Sequence, residues 1–131
     1  MTESTVKPIL ALTMGDPVGV GPEIIVKALV DARIYQVCRP LVLGDLPALE
    51  RARLALDPAL KIHITDRPAA GRYQLGTLDL MPGSQLGPHD LKYGRPTPAS
   101  GAAMVGYILT AIEDFETLNH AVEFLENGGR H

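Results

Sequence analysis

A chain of 131 residues, 46% apolar and 21% charged, has the material for one globular domain or for part of a larger one. Its 12 basic and 15 acidic side chains leave a net charge of -3 without a basic block, and it has few aromatic residues and no Trp, which argues against a nucleic-acid partner. The single cysteine, Cys38, excludes an internal disulfide, Met1 to Lys7 lacks the apolar centre of a secretory signal, and no run reaches the ~20 apolar residues of a membrane span, so a cytoplasmic protein is expected by elimination.

Ile9 to Met14 (ILALTM) is short, almost wholly apolar and bounded by turn residues, as a buried strand is. Thr13 to Glu23 follows as T-M-G-D-P-V-G-V-G-P-E. Pro22 and Glu23 suit the first turn of a helix, one through its missing N–H and the other through its charge against the dipole. That helix is expected to run through Ile24, Ile25, Ala28 and Leu29 to about Ala32, with Glu23 and Lys27 spaced for a helix-face ion pair. Leu41 to Leu43 reads as a second strand stopped by Gly44-Asp45, with Asp45 capping a helix over Leu46 to Leu54. Lys61 to Thr65 alternates polar and apolar like a half-buried strand, and Gly76 to Met81 reads as another, ended by Pro82-Gly83. Strands alternating with helices predict a layered α/β/α fold with a mostly parallel sheet.

Pro82 to Pro98 is rich in proline and glycine and reads as a loop or an active-site edge. Beyond it, Met104, Val105, Ile108, Leu109 and Ile112 fall on one face of a helix over Pro98 to Glu113. A last amphipathic stretch covers Glu116 to Glu126, with Asn127-Gly128-Gly129 as its stop.

A glycine loop between a strand and a helix presents backbone amides where the helix dipole favours an anion. The spacing here is neither the dinucleotide pattern G-x-G-x-x-G nor the phosphate loop G-x-x-x-x-G-K-[ST], and Pro22 removes one amide. Ligand contact and a purely structural turn therefore both remain open. Asp16 could accept hydrogen bonds from a cofactor hydroxyl, or start a turn by bonding its own backbone. Glu23 reads as an exposed first-turn residue more readily than as a general base. None of His63, His89, His120 and His131 has zinc-motif spacing, and Ser84 and Ser100 lack a nucleophile-elbow context. Lys92-Tyr93-Gly94-Arg95 places two cations in a loop, either solvated or facing a phosphate.

The segment A-L-T-M-G-D-P-V-G-V-G-P-E-I-I-V-K-A-L resembles the opening of the 4-hydroxythreonine-4-phosphate dehydrogenase family, with Thr13 to Glu23, Lys27, Ala28 and Leu29 all in place. Tyr93 to Thr97, Ser100-Gly101, Tyr107-Ile108 and Ala111-Ile112 extend the likeness, which covers roughly residues 8 to 113. The resemblance implies an NAD-dependent, divalent-metal-dependent dehydrogenase. Such an enzyme oxidises a secondary alcohol on a small phosphorylated substrate, with decarboxylation, in the vitamin B6 pathway. It also implies a fold related to the isocitrate and isopropylmalate dehydrogenases, an active site between two domains, and a homodimer. Carried onto this chain, it makes Gly15, Asp16, Gly19 and Gly21 the candidate cofactor-binding residues.

Members of the family are longer. Their T-A-P-x-x-K motif, their G-H-T-E segment and their three metal-binding histidines have no counterpart here, so no metal ligand and no catalytic residue is assigned. The expected organisation is a family-like part over residues 1–113 and a divergent helix over 114–131. Three functional readings follow: an incomplete dehydrogenase of this family, inactive alone; a sister enzyme acting on a phosphorylated four-carbon sugar acid or an aromatic dihydrodiol carboxylate; and a non-catalytic binding or assembly module.

Overall fold

In the computed structural model, residues 7–115 are described. Strand β1 (Ile9–Thr13) leads through the glycine loop into helix α1 (Gly21–Leu29), then α2 (Ala32–Val37), strand β2 (Arg39–Asp45) and helix α3 (Leu46–Leu56). Strand β3 (Lys61–Ile64), strand β4 (Thr77–Ser84) and helix α4 (Pro98–Thr110) complete the order, and a π-helical turn at Ala111–Phe115 follows α4. The four strands form one sheet in the order β1-β2-β4-β3, every pair parallel. The expected α/β fold with a parallel sheet is what the chain forms. The amphipathic stretch expected over Glu116 to Glu126 lies outside the described residues.

Central strand β2 is almost wholly buried, as a strand covered on both faces must be. Both β1 to β2 and β2 to β3 step the same way across the sheet. Right-handed crossovers then put α1 and α3 on one face, and the two helices pack against each other. Their inward stripes, Ile25, Val26 and Leu29 on α1 and Ala48, Leu49 and Ala52 on α3, join Leu41, Leu43, Leu78 and Leu80 in the core. Helix α4 packs on β4, β2 and β1.

Several boundaries differ from the sequence expectation, each for a local reason. Helix α1 stops at Leu29, not Ala32, because Asp31 accepts from Arg33 N and caps a new helix, α2. Strand β2 starts earlier, at Arg39, and takes in Gly44-Asp45 before it ends there, whereas β4 does not stop at Pro82-Gly83. The two strands keep pairing through Gly44 with Pro82 and Asp45 with Ser84, across a register shift. The partner on the other side, β3, pairs with β4 only as far as Leu80, so beyond it a proline costs no ladder bond on that side. Gly44 is needed for packing: a Cβ there would lie 2.9 Å from Met14 Sδ.

Candidate functional site

The glycine loop is built outward from Met14. This side chain is buried, and its amide donates to Leu43 O at 2.9 Å, extending the β1–β2 ladder by one residue. Gly15 then takes φ +78°, a left-handed conformation that glycine adopts without strain. Asp16 Oδ1 accepts from Val18 N at 3.0 Å while Asp16 O accepts from Gly19 N at 3.1 Å, so Asp16 is the turn starter of its structural reading. Gly21 brings the chain back against its own start, where a Cβ would collide with Met14 O. Gly19 lies under the Asp16 carboxylate, and a Cβ on it would sit 3.1 Å from Oδ2.

Pro17, Val18 and Pro22 are buried, and Val20 is 66% exposed. Nothing lies within 4 Å of the Gly15 Cβ direction, so the loop is supported from below and open in front. Its helix begins without a side-chain cap: Val20 holds the N-cap position of α1. By contrast Asp31, Asp45 and Thr97 cap α2, α3 and α4. An uncapped helix start beside open glycine backbone carries positive potential toward solvent.

The loop after β4 closes over one side of this site. Tyr93 Oη donates to Glu23 Oε1 at 2.5 Å and Gly94 N donates to Val18 O at 2.9 Å. The Arg51 guanidinium stacks 4.2 Å from the centre of the Tyr93 ring and donates to Leu91 O. Glu23 therefore turns to Tyr93 and not to Lys27, as its spacing had suggested. The hydrogen bond to Glu23 pushes the Tyr93 phenol above its ordinary pKa. Lys92 and Arg95 remain exposed at the rim.

Two carboxylates are buried in the sheet, Asp45 at the carboxyl end of β2 and Asp79 in the amino half of β4, and local sequence rules reveal only part of the role of one. Asp45, wholly buried, accepts from Ala48 N at 3.0 Å as the expected cap of α3. It also accepts from Ser84 Oγ at 3.0 Å and Leu86 N at 2.6 Å. Ser84 Oγ in turn shares a hydrogen bond with Tyr107 Oη, whose pKa burial pushes up to about 12. Asp79, also wholly buried, accepts from Arg72 N and Tyr73 N and faces His63 Nδ1 at 2.9 Å. His63 thus meets a buried carboxylate, while its neighbour Ile64 is half exposed. A cavity of about 620 Å³ opens at this end of β3 and β4, lined by His63, Ile64, Thr65, Asp66, Met81 and Pro82 among others. None of Gly15, Asp16, Gly19 or Gly21 lines it.

The open front at Gly15 and the uncapped start of α1 fit an anionic group such as a dinucleotide phosphate. Among the described residues no three His, Cys, Asp or Glu side chains come together as a metal-ligand set, so those residues do not fit the divalent metal. His89 is exposed in its loop. Cys38 is buried, and burial pushes its thiol pKa up. No described helix is long and apolar enough to cross a membrane.

No protein-family model matches the chain. It is 50% identical over 107 residues to a 4-hydroxythreonine-4-phosphate dehydrogenase of Desulforapulum autotrophicum, covering 82% of this chain and 32% of that protein. It is 36% identical over 107 residues to a Clostridium botulinum protein provisionally named D-threonate 4-phosphate dehydrogenase, again covering 82% of this chain and 32% of the relative. The crystal structure of a 4-hydroxythreonine-4-phosphate dehydrogenase from Burkholderia phymatum superposes with a TM-score of 0.74 at 36% identity, covering 95% of this chain and 34% of that one. The chain spans about a third of the length of the curated relatives it matches. In sequence and in fold, it is a homologue of the 4-hydroxythreonine-4-phosphate dehydrogenases over that third.

Proposed function

We propose that this chain builds the glycine-loop part of an NAD-dependent dehydrogenase that oxidises a secondary alcohol on a small phosphorylated substrate, 4-phosphohydroxy-L-threonine. The observation that carries this reading is the 50% identity to a dehydrogenase of that name. The open backbone at Gly15 and the uncapped start of α1 support it. The nicotinamide cofactor, when bound, supplies the hydride acceptor. This chain's own residues bind and orient. Gly15 leaves room for close approach, and the free end of α1 favours the negative charge of a phosphate. Asp16 offers Oδ2 to a cofactor hydroxyl while Oδ1 stays in its turn with Val18. Tyr93 and Gly94 hold the neighbouring loop against α1 and Val18, and so set the width of the opening. The homodimer, the vitamin B6 pathway and the cytoplasm belong to the same proposal, as does a divalent metal of the whole enzyme, which the described residues of this chain do not hold.

A second reading is favoured by one observation. The 36% identity to the Clostridium botulinum protein supports a phosphorylated four-carbon sugar acid, D-threonate 4-phosphate, as the substrate. A chimera separates the two. Residues 8–113 of this chain replace the matched third of the Desulforapulum autotrophicum relative, and NADH formation is followed with each substrate. Turnover with 4-phosphohydroxy-L-threonine is expected. Turnover with D-threonate 4-phosphate alone would select the second reading. A folded chimera inactive on both would leave the chain a non-catalytic module.

A further inference from the structure

His63 and Asp79 are register partners on β3 and β4, so their side chains leave the sheet on one face. The connection between the two strands folds over Asp79, and Arg72 N and Tyr73 N donate to its Oδ1 and Oδ2 at 2.9 and 2.8 Å. Asp79 is wholly buried, and its third bond is to His63 Nδ1 at 2.9 Å. A carboxylate only accepts, so this bond places the ring proton on Nδ1 and leaves Nε2 with its lone pair. The His63 side chain keeps 25% exposure and lines the cavity at the end of β3. Buried Asp79 takes up the Nδ1 edge of the ring, so the edge that meets the cavity is the one carrying Nε2.

Open α/β sheets hold ligands at the carboxyl ends of their strands, and a volume of about 620 Å³ is that of a small-molecule site. The side chains around this cavity have one chemical sense. Thr65 Oγ1 is taken up by its own turn, donating to Arg67 O and accepting from Arg67 N. Asp66 is exposed, and its carboxylate has no hydrogen-bond or ion-pair partner among the described residues. Among the same residues no Lys or Arg lines the cavity. The free polar groups are therefore Nε2 of His63 and the Asp66 carboxylate. Both accept hydrogen bonds, and one is negative. Ile64, Ala70, Met81 and Pro82 make the rest of the wall apolar. We propose that this cavity binds a small organic ammonium ion. Its N–H groups donate to Asp66 and to Nε2 of His63, and its apolar body lies against Met81 and Pro82. No glycine-loop residue lines the cavity, so the site rests on neither the cofactor nor the substrate of the proposed activity.

The test titrates the isotope-labelled 131-residue chain with butylammonium chloride and, separately, with sodium butanoate, an ion of similar apolar chain and opposite charge. Ring-nitrogen chemical shifts of His63 read the tautomer, and backbone amide shifts read binding. The expected tautomer carries its proton on Nδ1. Butylammonium should shift His63, Asp66 and Met81 saturably, in the millimolar range of so small a ligand, and butanoate should not. Asp66→Asn should weaken butylammonium binding by roughly tenfold. Because Asp66 is exposed and unpaired among the described residues, that variant should keep the spectrum of the folded chain elsewhere. A proton on Nε2, or saturation by butanoate in place of butylammonium, overturns the proposal, since the cavity would then present a donor. The expected tautomer without saturable butylammonium shifts also overturns it, and leaves the His63–Asp79 pair a tie for the loop between β3 and β4. Zinc ions that shift the same residues where butylammonium does not would make the cavity a metal site and overturn it as well.

Discussion

Tyr93 Oη donates to Glu23 Oε1 across 70 positions of sequence, and this one contact fastens the loop after β4 to the first turn of α1. It converts two features that look independent in the sequence, a first-turn acid and a loop aromatic, into one wall of the glycine-loop opening. Tyr93→Phe should leave global stability nearly unchanged, because the pair is exposed, and should speed amide exchange at Gly94. The same bond gives a pH signature. Glu23 raises the Tyr93 pKa, so the contact is present below the ordinary phenol value and is lost as pH rises through the raised one. Loop exchange rates measured against pH should therefore increase only under alkaline conditions.

The glycines of the loop predict different costs for the same substitution. Gly21→Ala drives a methyl into Met14 O, a backbone atom that cannot move aside, and should cost about 3 kcal/mol or more. Gly15→Ala meets no neighbour and should cost only about 1 kcal/mol, the penalty of a left-handed conformation. Urea unfolding of the two variants ranks them directly. Equal costs would mean that the close approach at Gly21 is not a constraint.

The two helix caps Asp45 and Thr97 should also separate. Thr97→Ala removes a capping box and should cost about 1 kcal/mol. Asp45→Ala strands Ala48 N and Leu86 N and breaks the link to Ser84, all around a buried carboxylate, and should cost about 3 kcal/mol or more. Chemical denaturation again supplies the comparison.

Alkaline stability should report Tyr107. Burial holds its phenol at about 12 in the folded chain, against an ordinary value of about 10. The folded state prefers the protonated form, so its advantage is complete below about 10 and is lost as pH rises toward 12. After allowance for solvent screening, the difference corresponds to about 2 kcal/mol. Burial raises Tyr35 and Tyr73 to about 12 as well, so Tyr107→Phe should make the fall in stability over that range shallower without abolishing it, as measured by denaturation at stepped pH.

The strand–loop–helix unit around Gly15 was legible because each residue there obeys a local rule: an apolar run, a left-handed glycine, an Asp-Pro turn, and a proline in the first helical turn. Asp45 as the cap of α3 was legible for the same reason. Its bonds to Ser84 and Leu86 were not, since they join residues about forty positions apart and depend on β2 and β4 being neighbours. The extension of β4 through Pro82 was hidden likewise, because it depends on where β3 stops. On α4 the periodicity located a face at Met104, Val105, Ile108, Leu109 and Ile112. Periodicity alone does not say what lies opposite such a face, and here it points away from the core. His63 looked like an ordinary polar strand residue because Asp79, its partner, is brought to it only by the pairing of β3 with β4.

Whether the glycine loop touches a dinucleotide is decided by Asp16→Asn in the chimera. Asparagine keeps the oxygen that accepts from Val18 N, so the turn and the melting temperature should be preserved. It removes the charge offered to a cofactor hydroxyl. NAD affinity, measured by calorimetry, should fall by about tenfold, or about 1.4 kcal/mol. An unchanged dissociation constant with an unchanged melt would reduce Asp16 to a turn residue and refute the cofactor role of the loop.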